Sequence, residues 1–351
     1  MKKPIALMLS LMLLVSCAAG GACLAEEKEL SIVVTIFPIY DWVREIVKDN
    51  EHIRVTLLLD NGVDLHSYQP TARDIMTIST ADLFIYVGGE SDEWVEDVLG
   101  SAMNPGLVSI NLVEAMGEDI KAEEIVEGME HEHEHDHGHD EDEDHDHDHD
   151  HDHEHGHDGD EDEDHDHDHE HEEEADEHVW LSLRSAQKLT AVIAQKLAEM
   201  DPANAESYAQ NAAAYLEKLA DLDARYAEAV SGAAYKTILF GDRFPFRYLA
   251  DDYGLSYYAA FSGCSAESEA SFATVVFLAQ KVDELGLPAV LTIEHPRTRI
   301  AETVVQNTAS KDQKILVMDS MQGTTAADIK AGTTYLSVME ANLEVLKEAL
   351  N

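Results

Sequence analysis

Apolar residues gather along this chain in short runs of strand length, separated by stretches long enough for a helix. Four runs come early: LSIVVTIF (Leu30 to Phe37), IRVTLLL (Ile53 to Leu59), DLFIYVGG (Asp82 to Gly89) and LVSINL (Leu107 to Leu112). Four come late: KTILF (Lys236 to Phe240), LSYYAAF (Leu255 to Phe261), AVLTIE (Ala289 to Glu294) and KILVMD (Lys314 to Asp319). Most are near-continuously apolar instead of alternating, as strands are when helices cover both faces of a parallel sheet. Two sets of four predict an α/β protein with two parallel-sheet (β/α) lobes.

Between the sets the period changes to that of helices. Trp180 to Met200 reads as one helix, stopped by Asp201 and Pro202. From Ala203 to Val230 no Pro or Gly interrupts a run rich in Ala, Leu, Glu and Lys, and Ser231 and Gly232 offer a cap. Such a helix is roughly 40 Å long at about 1.5 Å per residue, enough to run the height of both lobes. The expected organisation is an N-terminal lobe over 30–180, linking helices over 181–231 and a C-terminal lobe over 232–351. One long connecting helix leaves little freedom for a wide hinge, so a site in the interlobe cleft would be gated by local loops and small tilts.

One segment fits neither period. Residues 131–171 are only His, Asp, Glu and Gly, with near-strict alternation in HDHDHDHDHEH from His145 to His155. Nothing in it can offset the entropy of ordering its backbone, so it is expected to be a solvated loop within the first lobe. A plain acidic spacer has no need of so many imidazoles. Together with the carboxylates they form an array of zinc, nickel or copper ligands, which makes metal handling the first hypothesis. The formal charge of −49 is shared between this tract and the rest of the chain. No Lys/Arg cluster appears beyond Lys2 and Lys3, so no nucleic-acid partner is expected.

The N-terminus reads as an export signal: Lys2 and Lys3, an apolar run from Ile5 to Val15, then small residues. Its end, LVSC (Leu14 to Cys17), resembles the bacterial lipobox, in which cleavage before the Cys leaves it to be acylated. That reading makes 1–16 a signal peptide, Cys17 a lipid attachment point and 17–29 a tether at the outer face of the cell membrane. A secretory signal cut after Ala25 is the alternative, giving a secreted or periplasmic protein. Cys23 lies in the tether, and Cys264 reads as a buried small hydrophobe more readily than as a ligand, so no disulfide framework is expected.

Outside the tract, His66 follows the second strand in NGVDLHSYQPTARDI, at the strand end where open α/β sheets bind ligands. His178 opens the helical stretch in DEHVWLSLRSAQKL, whose Trp180 and Leu181 would bury its first turn. Glu294 ends the strand AVLTIE and is followed by His295. No HExxH or comparable helix-borne pair exists, so a zinc hydrolase is not supported and no enzymatic activity is expected.

DLHSYQPTARD is similar to the DPHxYxPxxxD motif of the bacterial zinc and manganese ABC-importer solute-binding proteins, which carries their first His ligand. ADLFIYVGGESDEWVEDVL resembles the strand and helix that follow, with Trp94 at the family's Trp. DEHVWLSLRSAQKL and MDPANAESYAQNAAAYLEKLADLD look like the DPHxWLxP motif and the long interlobe helix. A His-rich acidic loop before the second His marks the zinc-specific members. Leu65 and Glu177 replace the Pro before each His, a change expected to alter loop stiffness without touching the ligand.

The resemblance implies a two-lobed, monomeric binding subunit that captures zinc and passes it to an ABC permease and its ATPase, with His66 and His178 as ligands and Glu294 next. At the third ligand the chain departs from HxAFxYLxxxYGL: RFPFRYLADDYGL places Arg243 there, and Arg cannot lose its proton to ligate a cation. Asp242 or His295 could supply the missing ligand, or water could. Arg243 itself would pair with Glu294 or Asp242. The site alone admits Mn2+ as well as Zn2+, and a manganese- or iron-binding subunit or a His-loop metal buffer are the alternatives. The loop favours zinc, because imidazole is a poor manganese ligand and a good low-affinity zinc collector.

Overall fold

The computed structural model describes residues 29–129, 174–265, 269–293 and 298–351. The His-rich tract, Cys17, Cys23, Glu294 and His295 lie outside the described residues.

Each of the eight apolar runs gives rise to a strand: β1 (Leu30–Val34), β2 (Ile53–Leu57), β3 (Leu83–Tyr86), β4 (Val108–Asn111), β5 (Thr237–Phe244), β6 (Ser256–Ser262), β7 (Ala289–Thr292) and β8 (Lys314–Val317). They form two parallel sheets, ordered β2-β1-β3-β4 and β6-β5-β7-β8. The two orders are the same when each sheet is numbered from its own first strand. In both, connections leave the first strand in opposite directions across the sheet, which opens a crevice at the carboxyl ends of the strands.

Strand β5 runs past the end of its apolar sequence. Its register with β6 shifts between Phe240 and Arg243, so the polar Asp242 and Arg243 are carried on at the end of the strand instead of starting a loop. Gly241 permits this: a Cβ there would stand 2.5 Å from Cα of Ala301 in the helix Arg299–Asn307.

The linking helices are α-helical as their periods require, with later starts than the sequence suggests. Val179–Leu181 forms a separate 3-10 turn, and the helix proper, Leu183–Met200, begins where the Ser182 hydroxyl accepts from the Ser185 amide. The following helix spans Ala205–Gly232. Its buried stripe, Tyr208, Ala212, Tyr215, Leu219, Leu222, Tyr226 and Val230, recurs every three or four residues.

That stripe joins the lobes. We label the first-lobe helix Phe37–Val47 α1, Leu183–Met200 α2, Ala205–Gly232 α3 and the C-terminal helix Tyr335–Ala349 α4. Helix α3 packs on both α1 and α4, and its Tyr226 hydroxyl donates to the Met339 carbonyl at 2.6 Å. At the N-terminus of α4 the Tyr335 ring meets Trp42 of α1 edge-on at 5.3 Å. The Tyr335 amide donates to Asp41 at 3.0 Å, and its hydroxyl donates to the Trp180 carbonyl at 2.8 Å. Trp180 in turn donates its indole N–H to the Ser320 carbonyl at 3.0 Å. One apolar core is therefore continuous from Ile32 of β1 through Leu219 of α3 to Phe240 of β5. No helix among the described residues is long and apolar enough to cross a membrane.

Candidate metal centre

His66 sits in a 3-10 turn, Leu65–Ser67, whose cap is the Asp64 carboxylate accepting from the His66 amide at 3.1 Å. Leu65, almost fully buried, anchors the turn in the core where the family motif has Pro. The imidazole is held from behind: Nδ1 lies 2.8 Å from Ser91 Oγ and 3.6 Å from Oε2 of Glu177. Glu177 also accepts from the Ser91 amide at 2.8 Å, through its other oxygen. Glu177 thus does touch the surroundings of His66, contrary to the expectation that it would affect loop stiffness alone. Its room comes from Gly89, where a Cβ would fall 2.4 Å from the carboxylate.

His178, fully buried, is held in the same way. Its Nδ1 lies 3.0 Å from Oδ1 of Asp176, which also accepts from the His178 amide at 2.8 Å. With Nδ1 of each ring turned to an acceptor, both Nε2 atoms point forward, and they stand 3.1 Å apart. Two bare imidazole nitrogens at that distance repel unless a proton or a cation lies between them. Burial foremost, and next the facing His178, push the His66 imidazole down to about pKa 3. Burial pushes the Glu177 carboxyl up.

The second lobe closes on this pair. The Gln322 side-chain Nε2 lies 3.4 Å from Nε2 of His66. Beyond the end of β6, Cys264 brings its thiol into a group with the two imidazoles, all three donor atoms lying within 4.8 Å of one another. Among the described residues this is the one group of three such side chains close enough to hold a metal ion. Of the two readings of Cys264, small hydrophobe and ligand, this geometry favours the second: the side chain is half-buried and faces the two His. The signal that singled out His66, a ligating side chain past a strand end, applied equally to Cys264, two residues beyond the end of β6.

Of the partners expected for Arg243, Glu294 lies outside the described residues. The Arg243 guanidinium pairs with Asp64 at 2.5 Å and donates to the Ser265 carbonyl at 3.3 Å. Burial would raise the Asp64 carboxyl, but the charge and hydrogen bond of Arg243 hold it below the usual range. The Asp242 carboxylate accepts from the Arg243 amide at 2.9 Å and the Ile293 amide at 3.3 Å. It stitches β5 to the end of β7 and stays out of the group formed by the His pair and Cys264.

The sequence model described as zinc-uptake complex component A, periplasmic (ZnuA), matches residues 32–349. The chain belongs to the ZnuA family. A zinc-binding lipoprotein, AdcA of Streptococcus pneumoniae (strain ATCC BAA-255 / R6), is 31% identical over 348 residues, covering 99% of this chain and 61% of the relative. This chain is thus similar to under two thirds of that relative's length. The high-affinity zinc uptake system protein ZnuA of Bacillus subtilis (strain 168) is 29% identical over 94% of this chain and 90% of its own length. Among solved structures, the Zn(II)-bound ZnuA-like domain of S. pneumoniae AdcA superposes with a TM-score of 0.65 at 28% identity, covering 92% of this chain and 99% of that domain. The two-lobed α/β fold of the ZnuA family is therefore the fold of this chain.

Proposed function

We propose that this chain is the extracytoplasmic solute-binding subunit of an ABC importer, capturing zinc between its lobes and delivering it to a permease and its ATPase without catalysing a reaction. The observation that carries this reading is the His66–His178 pair, with Nε2 atoms 3.1 Å apart and Nδ1 atoms already turned to carboxylate or hydroxyl partners. Zinc at about 2.0–2.1 Å from each nitrogen in a tetrahedral shell sets them about 3.3 Å apart, so the rings need to open by only a few tenths of an ångström. The partners behind each ring fix its tautomer and orientation, as they do for zinc-ligating histidines generally. The names of the relatives, zinc-binding AdcA and zinc-uptake ZnuA, support the same cargo.

In this reading His66 and His178 are ligands, and Glu294 is a candidate to complete the shell. Asp242, engaged by two amides, is not favoured, and His295 remains a candidate from sequence alone. Zinc is favoured over manganese by the imidazoles and by the sixteen His of residues 131–171, which would collect the ion weakly and raise its concentration near the cleft. Cys17 would carry the lipid that keeps the protein at the membrane surface, and Cys17→Ala would then release it from the membrane fraction. The ligand assignment is tested by competition with a zinc chelator: His66→Ala and His178→Ala should each weaken the tight site strongly, and wild-type affinity in either variant would refute it.

A further inference from the structure

The position at which the ZnuA family motif has its third ligand holds an arginine, and the structure shows what that arginine does. One guanidinium joins Asp64, two residues before His66, to the carbonyl of Ser265, the residue after Cys264. It therefore fastens the loop carrying one imidazole to the loop carrying the thiol. A second fastening holds the Cys264 amide to Oε1 of Glu123 at 3.0 Å. The absence of a side chain at Gly263 lets this segment lie against His178: a Cβ there would come within 2.9 Å of Cε1 of the ring.

Resting on the reading of this cleft as the zinc site, we propose that Cys264 replaces the missing imidazole and binds the captured ion as a thiolate, with Arg243 as the residue that positions it. On binding, the S–H proton leaves to solvent and the sulfur lone pair forms the Zn–S bond, with no change of oxidation state. The three donor atoms lie within 4.8 Å of one another. A tetrahedral site with Zn–S of about 2.3 Å brings sulfur and nitrogen to about 3.6 Å, so the thiol loop closes by about 1 Å at most. A thiolate beside two imidazoles selects zinc, and equally cobalt or cadmium, against the harder manganese ion. The specificity of the cleft would then rest on a residue that the two His motifs do not contain.

The test uses the full chain with Cys23→Ser, so that Cys264 is the one unmodified thiol once Cys17 is acylated or replaced. With one equivalent of Co(II) under reducing conditions, a thiolate-to-cobalt charge-transfer band in the near ultraviolet is expected, and Cys264→Ser should abolish it. Zinc affinity in that variant should fall by more than the roughly 10- to 100-fold typical of losing an outer-shell partner, and manganese affinity should change far less. X-ray absorption at the zinc edge of the unsubstituted Cys264 protein gives a readout that does not depend on the variant folding: a sulfur scatterer at about 2.3 Å is expected. A shell of nitrogen and oxygen only, with no cobalt band, overturns the thiolate while leaving a His-based site intact if His66→Ala still abolishes tight binding. Tight zinc binding that survives His66→Ala, His178→Ala and Cys264→Ser alike overturns both the thiolate and the site on which it rests.

Discussion

His66 is the residue on which charge, burial and orientation bear most heavily. In the folded, metal-free protein it accepts a proton only near pH 3, against 6.5 for an unperturbed imidazole. Between those values the unfolded chain binds the extra proton, so the stability this group contributes is complete above about pH 6.5 and is lost as pH falls toward 3. Asp92 works the other way. Its buried carboxyl is raised to about 7, so its contribution is complete below its ordinary value and is lost as pH rises through 7. Urea unfolding of zinc-free protein at pH 7 and pH 5 should show a larger acid loss in wild type than in His66→Gln, and equal losses would refute the assignment. For Asp92→Asn, stability relative to wild type should rise on going from pH 6 to pH 8, because the amide stays neutral; a constant difference would speak against it.

At this scale the sequence was legible where a motif named the residue, as for His66 and His178. It was silent on Asp176 and Ser91 and gave Glu177 only a part in loop stiffness, because their roles depend on which ring they stand behind. Cys264 could not be assigned between hydrophobe and ligand, because a lone thiol carries no spacing signal and only the approach of the segment after β6 to the first lobe gives it partners.

Among the elements, β5 bears the most weight. Its bulged end aims Arg243 across the cleft at Asp64, so that a strand of the second lobe holds the turn of the first. Both partners are mostly buried, and breaking such a pair from one side leaves an uncompensated charge, at a cost of about 3 kcal/mol or more. Arg243→Met should lower the urea midpoint accordingly and weaken zinc binding as well, because Asp64 then no longer holds the His66 turn. Unchanged stability would mean the carboxylate is satisfied by solvent.

Tyr335→Phe removes the hydrogen bond from α4 to the Trp180 carbonyl and should cost about 1 kcal/mol, read by the same unfolding measurement. All eight strands could be read from the apolar runs, since uninterrupted hydrophobic segments have few other uses. The extension of β5 could not, because Gly241, Asp242 and Arg243 look like a turn until Ala301 is seen packed against the glycine.

Across the whole molecule, two sheets of identical strand order face one another at their carboxyl ends, and contacts between distant segments lock them behind the cleft. Asp41 and Tyr335, 294 residues apart, form one of those ties. The two-lobed plan was visible in the two sets of four runs, and the long helix in its uninterrupted composition. The ties were not visible, because a buried Asp–amide or Trp–carbonyl bond leaves no pattern along the chain. On the proposed reading the His-rich tract would add a second scale of binding: calorimetry should find several weak zinc sites at neutral pH that fade on mild acidification, since a protonated imidazole cannot ligate. Their persistence after deletion of residues 131–171 would place them elsewhere.

The most direct measurement is the metal content of the chain lacking residues 131–171, purified without added metal and compared with the same chain carrying His66→Ala. One tightly held zinc per chain, lost in the variant, is the expected result. A metal-free protein that fails to bind zinc tightly on titration, or a zinc content that His66→Ala leaves untouched, would contradict a zinc-capture site built on the His66–His178 pair.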